Sequence, residues 1–172
     1  MDIDTVKIKK MAEDTVEHKI IVMRVCLKLF EYYVDNGNAT LGISLLRRAC
    51  AHDNSKFSGE EFRKLASIID SNPNCFRDAS AGLSEKETDA IKEHWKNNRH
   101  HPEYFDEYSN MLDLDMLEMV CDWYARSLQF GTDFIPFIIE RQHNRFKFSP
   151  EQFDKILEMC KLVQSVCEDK PK

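Results

Sequence analysis

The chain has 172 residues, a formal net charge of -6, and only 5 glycines and 5 prolines. That length suits one domain, 1–172 with a core from about 4 to 167, large enough to bury an interior without staples. Scarce turn formers argue against an all-β sandwich or barrel, the acidic balance against general nucleic-acid binding, and the lack of an apolar run near ~18 residues against a membrane span.

The first helix is expected from about Asp4 to Val34. Val16, Ile20, Met23, Leu27, Phe30 and Val34 alternate steps of four and three and form one apolar stripe. Val22, Val25 and Leu29 extend a neighbouring face, so much of this helix is expected to be buried. Asp35-Asn36-Gly37-Asn38 stops it, and a second helix follows over Leu41 to Ala51. Ser58 with Glu61 and Ser84 with Glu87 read as capping boxes. Ser149-Pro150-Glu151-Gln152 adds a proline at the first helical position. Helices therefore should start near Gly59, Glu85 and Pro150, with a loop from Asn72 to Leu83. Two more helices are read at Leu114 to Leu128 and Phe134 to about Phe146. The last helix carries Phe153, Ile156, Cys160, Val163 and Cys167 on one face, and Glu168 to Lys172 should fray. No segment alternates with period two. The expected fold is all-α, a single bundle of about seven helices. Apolar faces left over on the first and last helices would allow a homodimer.

Cys26, Cys50, Cys75, Cys121, Cys160 and Cys167 make no C-x-x-C, and several fall in helical apolar patterns. They read as reduced thiols packing as small hydrophobes. The opening residues do not read as a signal peptide, so the expected location is cytoplasmic.

The histidines keep unusual company. His18 lies among Val22, Val25 and Leu29; His52 is followed directly by Asp53; His94 sits on the helix opened by Ser84; His100-His101-Pro102-Glu103 follows; and Asp122 interrupts the apolar run Met119 to Tyr124. Singly these mean little. A buried helical histidine is ordinarily a hydrogen-bonded core residue. Asp115, Glu118, Asp122 and Arg126 share a helix face and alone would read as a solvated stripe. Together, imidazole and carboxylate donors suit zinc, iron, manganese or nickel. An adjacent His-Asp pair lets the imidazole take one ion while the carboxylate bridges two. Helical bundles hold core metals on facing helices in this way.

The order His18, His52-Asp53, Asp122 resembles the H…HD…D signature of the HD-domain metal-dependent phosphohydrolases. His52-Asp53-Asn54-Ser55-Lys56 looks like that superfamily's H-D-x-G-K, with Ser55 replacing the glycine. His94, His100 and His101 look like the extra histidines of its members with two or more metals. The strings HDNSKF, NNRHHPEYF and EMVCDW are also similar to a small uncharacterised bacterial and phage family tied to the HD group. The glycine-rich sequence that follows the double histidine in cyclic-di-nucleotide phosphodiesterases is absent; Pro102-Glu103-Tyr104-Phe105 stands there.

The resemblance implies hydrolysis of a small phosphoester, for which a nucleotide is one candidate. One or two divalent ions (Mn, Fe, Zn, Ni, Co or Mg) would activate water. His18, His52, Asp53 and Asp122 would hold the first ion, and Asp53 would bridge to a second held by His94 with His100, His101 or both. Asp53 and Lys56 are the expected catalytic pair, with Lys56 neutralising a phosphate oxygen. Glu103 and Glu118 are candidates to hydrogen-bond the ligand histidines, and Arg99 and Arg126, with Lys96 and Arg145 behind them, to meet the substrate. Trp95, Tyr104, Phe105, Trp123 and Tyr124 flank the ligands and would either stack on a base or pack the core. His143 is placed outside the site. Two other readings stay open: an HD-fold di-iron oxygenase, and a non-catalytic metal-binding helical module.

Overall fold

The computed structural model describes residues 5–68 and 83–168. Its elements are α1 (Thr5–Asp35), α2 (Ala39–Ala51), α3 (Gly59–Ile68), α4 (Glu85–Asn97), α5 (Asp113–Phe130), α6 (Phe134–Asn144) and α7 (Pro150–Glu168). Short 3-10 turns at Asn54–Phe57, Pro102–Tyr104 and Tyr108–Asn110 join them, and no strand occurs among the described residues. The fold is an all-α bundle. Most of the loop expected from Asn72 to Leu83, Cys75, and residues 169–172 of the end expected to fray lie outside the described residues.

The helix starts follow local chemistry. The Asn38 side chain accepts from the Leu41 N–H at 3.3 Å. Ser84 and Glu87 satisfy each other's orphan N–H groups. Ser149 Oγ accepts from Gln152 N at 3.2 Å, with Pro150 at the first helical position. Gly131 ends α5 at φ 63, the left-handed geometry a side chain resists. The start of α3 differs from expectation. Ser58 donates its N–H to the Ser55 carbonyl, and Glu61 turns inward to His94 and Asn97, so no reciprocal box forms.

The buried face of α1 also differs. Val22, Val25, Cys26 and Leu29 are 0–3% exposed, whereas Val16, Ile20, Leu27 and Val34 are 43–48% exposed. The helix carries two adjacent apolar faces, and its periodicity cannot say which one receives a neighbour. In the bundle α5 and α7 cover the Val22–Leu29 face. The close seam with α2 occurs at Gly42, where a Cβ would meet Phe30 at 3.2 Å.

Two apolar clusters result. The larger joins α1, α2, α5, α6 and α7, and the smaller joins Met11, Leu65, Ile68, Ala90 and Ile91. On α1, His18 falls between Met11 of the small cluster and Val22 of the large one. The polar residues described below fill this seam. Cys26, Cys121 and Cys160 are buried, Cys50 is exposed, and every described cysteine is a free thiol. Burial pushes the Cys160 thiol up to about 12, so it packs as an inert hydrophobe. No helix among the described residues is long and apolar enough to cross a membrane.

Candidate metal centre

Five separate segments meet at the seam. α1 brings His18, the end of α2 brings His52 and Asp53, α4 brings His94, the turn after it brings His100 and His101, and α5 brings Glu118 and Asp122. His18, His52, Asp53, His94, His100 and Asp122 are each at most 8% exposed. Placing so many polar groups in a core is costly unless each is paired.

The pairing has a consistent sense. His52 Nδ1 lies 3.2 Å and His100 Nδ1 3.5 Å from the same Glu118 oxygen. His94 Nδ1 lies 2.7 Å from Glu61 Oε1. His18 Nδ1 lies 2.8 Å from Gln129 Oε1. An ionised carboxylate only accepts, so the Glu118 and Glu61 contacts put the ring protons of His52, His100 and His94 on Nδ1 and aim their Nε2 lone pairs inward. His18 differs: its Nε2 donates to Asp122 Oδ1 at 2.8 Å, a proton that a bound cation would displace, and His94 Nε2 meets His101 Nε2 at 2.8 Å. His52 Nε2, His100 Nε2 and Asp53 Oδ1 are buried with no hydrogen-bond partner.

Those three orphaned atoms converge. Asp53 Oδ1 is 3.7 Å from both His94 Nε2 and His100 Nε2, and Asp53 Oδ2 is 3.7 Å from His52 Nε2. Donor atoms of His18, His52 and Asp122, of His52, Asp53 and His100, and of His94, His100 and His101 all lie within 4.8 Å of one another in each trio. Buried lone pairs facing each other repel unless a cation sits among them. The donor set therefore fits one or two divalent ions. His18, His52, Asp53 and Asp122 could form one ligand group, with His94, His100, His101 and the other Asp53 oxygen forming the second.

Residues 7–168 match the family of unknown function DUF5662. The chain belongs to that family. No curated protein and no solved structure matches it. The chemistry of this DUF5662 site must be read from its own geometry.

The backbone presents Asp53 in an unusual way. It is the one described non-glycine residue with positive φ, at 55°, a conformation that aspartate tolerates better than most residues. Lys19 of α1 ties this turn down by donating to the His52 carbonyl and, at 2.7 Å, to Asn54 Oδ1. Lys56 is buried and its Nζ sits 2.7 Å from Asp53 Oδ2. Burial alone would raise the Asp53 carboxyl, but Lys56 and the neighbouring imidazoles hold it well below the usual range. Asp122 is likewise lowered, mainly by the His18 hydrogen bond acting against burial. Against burial, hydrogen bonds from His100 and His52 bring Glu118 down to about 2. Burial lowers His18, His94 and, furthest, His101. At neutral pH the carboxylates are charged and those three rings are neutral, which is the state that binds metal.

Several expected roles are corrected. Glu103 touches no ligand histidine; it pairs with Arg145 at 2.6 Å, because the turn at Pro102–Tyr104 points it away from the rings. Arg99 is held by Asp115, at 3.2 and 3.0 Å, and lies over the Tyr104 and Phe105 rings. The solvated stripe that Asp115, Glu118 and Asp122 could have formed is buried instead. Lys96 is exposed and lines no cavity at the centre, whereas His143, exposed, and Tyr124, packed in the core against Phe134, lie where they were expected. Glu61, Gln129 and Lys19 were not singled out by sequence. The Ser58–Glu61 spacing was a signal, but it suggested a cap.

A cavity of about 420 Å³ opens beside the centre. Asp53, Lys56, His94, His101 and Asp122 form its inner end. Trp95, Trp123 and Phe146 form an aromatic wall, with Trp123 stacked on Phe146 at 5.0 Å. Arg126 also lines it, with Nε 3.9 Å from Asp122 Oδ1.

Proposed function

We propose that the chain is a metal-dependent phosphohydrolase acting on a small phosphoester, as its resemblance to the HD superfamily implies. The observation that carries this reading is the convergence of orphaned His52 Nε2, His100 Nε2 and Asp53 Oδ1, with Asp53, His94, His101 and Asp122 of the same cluster lining an open cavity. A single closed structural zinc takes four ligands and leaves no open position. Seven candidate ligands beside a cavity support open positions and a substrate.

A divalent ion at this centre would supply Lewis-acid polarisation of a phosphoryl oxygen and lower the pKa of water. The chain's own residues do the rest. Glu118 and Glu61 fix the tautomer and angle of three imidazoles. Lys56 holds Asp53 ionised and offers an ammonium to a phosphate oxygen at the inner end. Arg126 stands one helical turn from Asp122, placed to orient a second oxygen of the same phosphate. Trp95, Trp123 and Phe146 give an apolar bed for the ester's organic part.

The test is hydrolysis of an aryl phosphate and an aryl phosphodiester with Mn²⁺, Ni²⁺, Co²⁺ or Mg²⁺, alongside metal analysis of the purified protein. Metal-dependent hydrolysis that disappears in His52→Ala and Asp53→Ala, with metal content lost, is the expected result. Full metal content in both variants would overturn the site. Iron-dependent oxygen uptake with no hydrolysis would replace the reaction with an oxidative one.

A further inference from the structure

The α6 side of the same cavity, where that helix packs on α5 and α7, is built differently from the side at the metal centre. Arg141 of α6 and Arg145 just beyond it line it along with Phe130 and Phe137. Arg145 is already engaged: it pairs with Glu103 at 2.6 Å and lies over Trp95 at 4.9 Å. Arg141 is not engaged in that way. Its guanidinium lies over the Phe137 ring at 4.9 Å, and no carboxylate comes within ion-pair distance among the described residues. In a protein of net charge -6, a half-buried guanidinium facing a cavity without a carboxylate is a distinctive feature. Stacking on an aromatic face orients the guanidinium plane while leaving its N–H edge free for a planar oxyanion.

We infer that Arg141 is a second anion-binding point, so that the ligand of this cavity carries two oxyanions: one at the inner end beside Lys56, and another at Arg141, with an apolar or aromatic body between them. The identity of the inner group rests on the phosphohydrolase reading; the outer subsite does not. A volume of about 420 Å³ holds a ligand of modest size, not a polymer. A carboxylate and a second phosphate would both satisfy the guanidinium in bidentate fashion.

Calorimetric titration of the Mn²⁺-loaded protein and of the metal-free protein with three non-hydrolysable probes tests this. Phenylphosphonate carries one oxyanion; 4-carboxyphenylphosphonate and 1,4-phenylenebisphosphonate add a carboxylate or a phosphonate at the far end. Each two-headed probe should bind roughly tenfold or more tighter than phenylphosphonate, the gain expected of a charge-assisted hydrogen bond. Which of the two gains more identifies the outer group. In Arg141→Met, which keeps an apolar stem on Phe137, the affinity ratio should fall to about 1. Arg141→Lys should recover part of it, and thermal melts of both variants check folding. Equal binding of all three probes by the unaltered protein, a ratio that survives Arg141→Met, or binding of none of them would overturn the inference. A ratio lost in Arg141→Met without any aryl phosphate hydrolysis would keep the subsite and remove the hydrolase reading. Hydrolysis with no ratio would do the opposite.

Discussion

Glu61 Oε1 accepts the Nδ1 proton of His94 across 2.7 Å, and Glu61 is 1% exposed. The carboxylate reaches no solvent and sits on α3, whereas the ring sits on α4. It therefore fixes which nitrogen of His94 faces the centre and ties two helices of the small cluster together. Glu61→Ala should lower zinc affinity by about 10–100-fold, the usual loss when the partner of a ligand histidine is removed. Calorimetric titration of zinc into the metal-free protein measures it. Glu61→Gln, which can still accept through its amide oxygen, should lose less. Unchanged affinity in Glu61→Ala would remove this role.

The same pair shows where sequence reading reaches its limit. Ser-x-x-Glu before an apolar run has two uses, a cap or an inward ligand partner, and only the position of α4 decides between them. Glu103 and Glu118 pose the same problem: Glu103 follows His101 by two residues and Glu118 precedes Asp122 by four, but the face of α5 buries Glu118 while the Pro102 turn gives Glu103 to Arg145. By contrast, the clustering of His18, His52-Asp53, His94, His100, His101 and Asp122 was legible, because imidazoles and carboxylates set in apolar helical runs need one another to be buried. Helix starts at Gly59, Glu85 and Pro150 were legible because they are local. The burial of α1 was read too broadly because Val16–Val34 and Val22–Leu29 are equally good helical stripes, and α5 and α7 cover only the second.

The stability of the metal-free protein should fall as pH drops from about 7.5 to about 4. Burial lowers His18, His94 and His101 below their ordinary 6.5. The unfolded chain therefore takes up protons near pH 6.5 while these folded rings do not. Their contribution is complete above 6.5 and is lost as pH falls below it. His100 runs the other way: against burial, Glu118, Asp53 and Asp122 raise it, so its contribution is complete below 6.5 and fades as pH rises through its folded value. His101 is lowered furthest, so the lowered rings set the net slope. Asp53, Asp122 and Glu118, all lowered, add a second loss below their unfolded values of 3.8 to 4.5. Urea midpoints of chelator-treated protein across this range give the slope. A midpoint that rises on acidification would contradict the assignment of the neutral rings.

Arg99 holds a fully buried Asp115 through two hydrogen bonds of 3.2 and 3.0 Å, and Arg48 holds the same carboxylate. Arg99→Ala should therefore cost stability, about 1–3 kcal/mol for the weakened buried carboxylate. It should leave kcat/KM for an aryl phosphate within about threefold of the unaltered value, since the guanidinium faces Asp115. Arg126→Ala should do the reverse, raising KM with a small change in melting temperature. A large kcat/KM loss in Arg99→Ala with an unshifted melt would return Arg99 to the substrate.

Lys56 is the strongest test of whether the centre is built for a cation. Its Nζ lies 2.7 Å from Asp53 Oδ2, and both residues are at most 5% exposed. Removing one partner of a buried pair typically costs about 3–5 kcal/mol, because the remaining charge stays desolvated. Lys56→Met should therefore destabilise the metal-free protein by roughly that amount. A divalent ion beside Asp53 would compensate the stranded carboxylate, so saturating Mn²⁺ should raise the melting temperature of Lys56→Met more than that of the unaltered protein. Adding Asp53→Asn to Lys56→Met removes both charges, and the double variant should be less damaged than the sum of the two single losses. Melts of the four proteins with and without Mn²⁺ provide the comparison. Equal metal stabilisation in all four would mean that Asp53 does not meet the ion, and the bridging role given to its two oxygens would have to be withdrawn.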